Sequence, residues 1–240
     1  SMTDGQVSTL AGTDEQGHDR HADGPGGSVA LSSPWDLALA GDRLFVAMAG
    51  THQIWQLDLR TGHISVFAGS GAENLLDGAL SDAQFAQPSG LAIWHDTLYV
   101  ADSEASGVRA IALQGGRVTT VVGLGLFEFG DADGTGDAVR LQHPLGLCAL
   151  TDGLLLADTY NHRLKRLDPG PRAASSWAGS GSPGYRDGAA QEAQFREPSG
   201  VSAADGKVFV ADTNNHVIRV INGATSAVGT LEIGGATMKC

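Results

Sequence analysis

A block that recurs four times constrains this chain more than any other feature. Pro34-Trp35-Asp36-Leu37, Pro88-Ser89-Gly90-Leu91, Pro144-Leu145-Gly146-Leu147 and Pro198-Ser199-Gly200-Val201 are spaced by 54, 56 and 54 residues. Each proline opens an apolar run, and a second run ending in alanine follows (44–47, 98–101, 154–157, 208–211), then a polar turn, a third run and a glycine-bounded fourth. Four short strand signals at this period predict repeated antiparallel modules over approximately 34–69, 88–123, 144–179 and 198–231. In the first unit the strands are expected near 35–39, 44–48, 53–58 and 64–68. Modules of this kind bury both faces when stacked radially, so an all-β propeller in a single domain over 1–240 is the prediction. Residues 7–12 match the fourth strand of a unit, which gives four four-stranded blades plus an N-terminal orphan outer strand.

The polar turns carry the next signal. Units three and four read Ala157-Asp158-Thr159-Tyr160-Asn161-His162 and Ala211-Asp212-Thr213-Asn214-Asn215-His216, each followed by a strand that mixes basic and apolar residues. With the Pro-x-Gly start and a recurring Asp-Gly linker, this pattern resembles the NHL repeat from about Val7 onward. Segments such as Ser33-Pro34-Trp35-Asp36 and Leu141-Gln142-His143-Pro144 resemble the NHL repeat-containing protein 2 family and its bacterial relatives. In that family a thioredoxin-like domain precedes an NHL propeller. The resemblance implies a ring of about six blades, of which this chain would be part, with open blade faces that invite self-association. No Cys-x-x-Cys occurs here, so an associated thioredoxin-like domain is expected outside the chain.

The turn also has a reading independent of the family. An Asp directly after a strand can accept backbone N–H groups two or three residues on, so Asp102, Asp158 and Asp212 read as structural staples. The histidines His162 and His216 read as packing or bonding within their own blades. A carboxylate ring for a metal is the alternative, but Met48 breaks it in unit one. The linkers beginning Asp77-Gly78, Asp133-Gly134 and Asp187-Gly188 read as turns pinned by Phe85, Leu141 and Phe195. Their spaced acids lack the full oxygen-ligand alternation of a calcium loop. No cofactor is expected, with calcium or zinc as the alternative.

Composition narrows the environment and the partners. The two cysteines, Cys148 and Cys240, make a disulfide framework unexpected. No apolar stretch reaches the roughly 18 residues that cross a bilayer, and no charged segment precedes an apolar one at the start. A cytoplasmic protein without membrane contact is the expectation. The net charge of −12 repels a phosphate backbone, which excludes nucleic acid and leaves a protein or peptide partner.

Strand parity places the linkers and the Asp-Thr turns on one face of the ring and the tight turns on the other. Long loops on a rigid scaffold carry binding, so residues that break the repeat on that face are the binding candidates: Asp36, Met48, His52, Phe127, Glu128 and Phe129. No nucleophile, base and acid recur in a catalytic pattern. The leading expectation is a non-catalytic interaction scaffold. The alternative is a metal-dependent lyase or hydrolase of the kind found on related propellers, with Asp36, His52, His143 or His162 at the channel mouth.

Overall fold

The structure, a computed structural model, describes residues 5–232; Cys240 lies outside them. Four antiparallel sheets follow one another along the chain. The inner strands are Pro34–Ala40, Pro88–Trp94, Leu147–Leu150 and Pro198–Ala204. Second strands run over Arg43–Met48, Thr97–Asp102, Gly153–Asp158 and Lys207–Asp212, and third strands over Gln53–Asp58, Gly107–Ala112, Arg163–Asp168 and Val217–Asn222. His63–Ala68, Arg117–Val122, Ala173–Ala178 and Ala227–Thr230 form the fourth strands. The second strands read as near-continuous apolar runs, Leu98-Tyr99-Val100-Ala101 for example, because each blade between two others is covered on both faces.

Two features differ from the sequence reading. Each sheet has five strands rather than four, because the linker ahead of each blade lays a short strip along the fourth strand: Asp23–Pro25, Gly78–Ala79, Gly134–Thr135 and Gly188–Ala189. Residues 7–12, expected as an orphan outer strand, carry no strand. An outer strand needs one open sheet edge to pair with, and in all four sheets the edge beside the fourth strand is already taken by a linker strip.

The core is a series of wedges between blades. Phe45, Ile54 and Ala47 of blade 1 meet Leu91, Leu98 and Val100 of blade 2, and equivalent clusters fill the next two joints. Phe85, Leu141 and Phe195 from the linkers are buried in these wedges, as their recurring position predicts. Consecutive inner strands pack side by side, whereas among the described residues those of blades 1 and 4 share no such packing.

Candidate functional site

The long turn after each second strand sets the chemistry of one face. In blades 1, 3 and 4 it is a single 3-10 turn, Ala49–Thr51, Thr159–Asn161 and Thr213–Asn215. It ends at His52, His162 and His216, whose φ angles of 55°, 54° and 58° lie in the left-handed region. Asp102, Asp158 and Asp212 do not close local Asx turns, contrary to the sequence expectation. Their Oδ1 atoms accept the backbone N–H of Ala86, Gln142 and Arg196 at 2.6–2.7 Å, sixteen residues back, which ties the turn to the linker.

A buried cation seven residues on explains that inward aim. Arg109 donates from Nη1 to Asp102 at 3.1 Å and to the Gln84 carbonyl, and from Nη2 to Asp77 and the Leu76 carbonyl. Arg219 repeats the pattern with Asp212, Asp187 and the carbonyls of Gln194 and Arg186. Lys165 donates to Asp131 and Asp133, and its ammonium lies 3.7 Å from Asp158. Blade 1 holds Met48 and Trp55 at the two matching places, both buried. The Met48 sulfur accepts the Ser32 N–H at 3.2 Å, and the Trp55 indole donates to Gln53 at 3.1 Å. Blade 1 has therefore replaced a buried ion pair by two apolar side chains, a substitution that requires both members to change. Met48, expected on the binding surface, is interior for that reason.

Burial pushes the carboxyl of Asp102 up to about 6 and that of Asp158 up to about 7, against the pull of Arg109, Lys165 and their N–H donors. The folded chain thus holds these protons more tightly than the unfolded chain, so stability falls as pH rises from about 4 through about 7. Asp77 and Asp133 act oppositely: burial is outweighed by donors from Thr120 and Arg109, and from Lys165 and Ser176, which hold both below the ordinary value. Their contribution is present above that value and is lost in stronger acid. A melting temperature that peaks near pH 5 and declines toward pH 8 is the expected result. Since a tenfold change in proton affinity is worth about 1.4 kcal/mol and 1 kcal/mol shifts a chain of this size by roughly 2–4 °C, the decline should reach several degrees. A melting temperature that climbs to pH 8 would contradict the assignment.

His52 and His162 work between blades, where the sequence reading kept His162 within its own blade. His52 Nδ1 accepts the Gln87 N–H at 3.1 Å and His162 Nδ1 accepts the Glu197 N–H at 3.2 Å, in each case the residue before the next blade's proline. Ser106 Oγ takes the equivalent N–H from His143 at 3.2 Å. Partial burial lowers the pKa of His52 and His162, consistent with neutral rings that accept at Nδ1. The left-handed cap turns each ring out of its own blade and across the joint.

Around the axis, the starts of the four inner strands line a shallow cavity of about 290 Å³, in which Asp36 is the sole ionisable side chain among the described residues. Both its oxygens are engaged: Oδ1 accepts the Leu37 N–H at 2.8 Å and Oδ2 the Leu91 N–H at 2.7 Å. Burial raises its pKa, and the two N–H donors oppose the rise. Asp36 thus clamps blade 1 to blade 2. His143 lies stacked on Tyr160 with ring centres 4.6 Å apart. Among the described residues, no three His, Cys, Asp or Glu come together in a geometry that could hold a metal ion. The set Asp36, His52, His143 and His162 is not assembled into one.

The most exposed aromatic side chain on this face stands in the insert before blade 3. Phe127 is 87% exposed and Phe129 57%, with Glu128 exposed between them. The insert is anchored at its end, where Asn161 Nδ2 donates to the Gly130 carbonyl at 2.6 Å and Gly130 N–H donates to Leu141. The end of the insert is thereby tied to the turn that holds Tyr160 and Asn161. The sequence reading expected Phe127, Glu128 and Phe129 on this face and did not single out Tyr160, which is half exposed at a place held by Gly50, Glu104 and Asn214 in the other repeats.

Comparison with known proteins agrees with this architecture. The NHL repeat model matches residues 195–221. Over 96% of its length the chain is 42% identical to Protein SUPPRESSOR OF QUENCHING 1, chloroplastic, of Arabidopsis thaliana, and the match spans 23% of that protein. It is 39% identical over 95% of its length to NHL repeat-containing protein 2 of Homo sapiens, spanning 36% of it. The chain thus spans about a quarter to a third of the length of these relatives. Among solved structures, a catalytically inactive virginiamycin B lyase from Staphylococcus aureus with quinupristin superposes with a TM-score of 0.58 at 12% identity, covering 86% of this chain and 59% of that one. At that identity the likeness concerns the fold alone.

Proposed function

Because the chain is an NHL-repeat β-propeller that resembles the propeller part of the NHL repeat-containing protein 2 family, we propose that it is a non-catalytic protein-interaction scaffold that binds a protein or peptide segment through its long-loop face. One observation carries the reading. The insert that breaks the repeat leaves two phenylalanines standing in solvent on an anchored loop, where burial in the fold would be the cheaper arrangement. Aromatic anchors on a rigid frame lose little entropy on binding, and Glu128 together with the chain's net negative charge favours a basic partner. Asp36 and His52, whose polar atoms already hold joints, serve as frame and not as contact.

The test is selection of binding peptides from a random library against the whole chain, followed by Phe127→Ser with Phe129→Ser. Affinity is expected to fall by roughly 30-fold or more, the loss typical of central aromatic anchors, with an unchanged melting temperature because both side chains are exposed. Retained affinity in the double variant, with loss instead on changing Asp152 and Asp205 among the tight turns, would place the binding face on the other side.

A further inference from the structure

The joints between blades are latched at the same place on the long-loop face, but not by the same chemistry. At the left-handed cap, His52 and His162 accept the N–H of Gln87 and Glu197 through a ring nitrogen, whereas Ser106 accepts that of His143 through a hydroxyl oxygen. A hydroxyl oxygen keeps its lone pairs wherever a protein stays folded; an imidazole nitrogen gives its own up in mild acid. A neutral ring that accepts at Nδ1 carries its one proton on Nε2, so a second proton has to enter at Nδ1, the atom that holds the backbone N–H. The charged ring then presents an N–H to that N–H, and attraction becomes repulsion.

The joints also differ in what stands beside the latch. Ser103 donates to the Pro144 carbonyl at 3.0 Å between blades 2 and 3, and Thr159 to the Pro198 carbonyl at 2.9 Å between blades 3 and 4. Blade 1 has Ala49 at that place, so His52 works without a neighbouring hydroxyl. Each ring faces charges of both signs. Around His52 stand Arg20 of the linker into blade 1, Glu73 of the linker into blade 2 and Glu104 of the blade 2 turn. Around His162 stand Arg196 and Glu197 of the linker into blade 4 and Asp212 of its second strand. Partial burial is the largest influence and lowers both pKa values, with the carboxylates opposing it and the arginines adding to it. A group that binds its proton less tightly in the folded chain supplies stability above its ordinary pKa, and that stability is lost as pH falls through the lowered one.

We propose that His52 and His162 are acid-released latches, which let go of blade 2 and blade 4 when their rings become charged, while the Ser106 latch keeps blades 2 and 3 together. His162 caps the turn whose Asn161 anchors the aromatic insert at Gly130, so the release between blades 3 and 4 acts at the foot of that insert.

Amide hydrogen exchange on the whole chain, resolved by NMR and corrected for the intrinsic pH dependence of exchange, tests this. Between about pH 7.5 and about pH 4.5 the protection of the Gln87 and Glu197 amides is expected to fall by roughly 3- to 10-fold, one neutral hydrogen bond each, with the larger loss at Gln87. The His143 amide is expected to keep its protection, because Ser106 holds it and its own ring is turned to Tyr160 and Glu104. His52→Ser is expected to remove the pH dependence at Gln87, whatever protection remains, and Ser106→His to confer it on the His143 amide. The φ angles of 55° and 47° at these two places show that the same backbone carries either residue. The melting temperature does not isolate the effect, because Asp102 and Asp158 move overall stability the other way with pH. Equal loss at all three amides overturns the proposal. So does a pH dependence at Gln87 that survives His52→Ser, which would assign the release to Asp36, the carboxylate that clamps the same joint at Leu91. If circular dichroism shows that a variant does not fold, the contrast among the three wild-type amides decides alone.

Discussion

Asp102→Met is expected to destabilise the chain by about 1.5–3 kcal/mol, because the wholly buried guanidinium of Arg109 loses its buried carboxylate and keeps the half-exposed Asp77 as its one charged partner. Arg109→Trp alone is expected to cost a similar amount by stranding Asp102. The pair Asp102→Met with Arg109→Trp is expected to cost far less than the sum. Blade 1 is the internal precedent, since Met48 and Trp55 occupy these two places and Met48 still accepts the linker N–H through its sulfur. The double variant is not neutral, because Gln53, which receives the Trp55 indole N–H, corresponds to Gly107 in blade 2. One unsatisfied buried donor costs about 1–3 kcal/mol. Urea denaturation of the four proteins should therefore give a coupling of at least about 2 kcal/mol, within the range found for contacting pairs. Additive costs would show that the ion pair is not the unit of design.

The strands were legible because repetition averages out local ambiguity: second strands were expected at 44–48 and its equivalents and occur at Arg43–Met48, Thr97–Asp102, Gly153–Asp158 and Lys207–Asp212. The linker strips were not legible, since two residues such as Gly78–Ala79 carry no hydrophobic period. Their signal was present in spacing, as Asp23, Asp77, Asp133 and Asp187 each stand eleven residues before a repeat proline. The copy at Asp23 was hidden by Pro25, Gly26 and Gly27, which blur the linker pattern. The ion-pair network had a signal too. An acid is followed by a base seven positions later in three blades, and both depart together in the first. Seven positions span a turn and half a strand, so the partner is reached only once the register of the second and third strands is known. The histidine latches cannot be read from one repeat at all, because donor and acceptor belong to different blades and meet only through the packing of one sheet on the next.

Gly146→Ala is expected to be the most disruptive single methyl that can be added at the axis, while the same change at Gly200 is expected to be nearly silent. A Cβ at Gly146 would lie 2.0 Å from the Ser199 carbonyl oxygen, and one at Gly90 would lie 2.3 Å from that of Leu145. Those neighbours are backbone in the adjacent inner strand and cannot swing aside, so a whole blade must shift. Overpacking of this kind costs about 1–3 kcal/mol and at times more, which lowers the melting temperature by several degrees. A Cβ at Gly200 meets nothing closer than the Ala211 methyl at 3.5 Å. With ordinary van der Waals distance and less freedom in the unfolded chain, Gly200→Ala should leave stability unchanged or raise it by about 0.4–1 kcal/mol. The contrast separates two reasons for keeping glycine at this place. If the residue were needed for its backbone conformation, all three positions would suffer alike. If it is needed so that one blade can approach the next, only Gly90 and Gly146 suffer in the single chain.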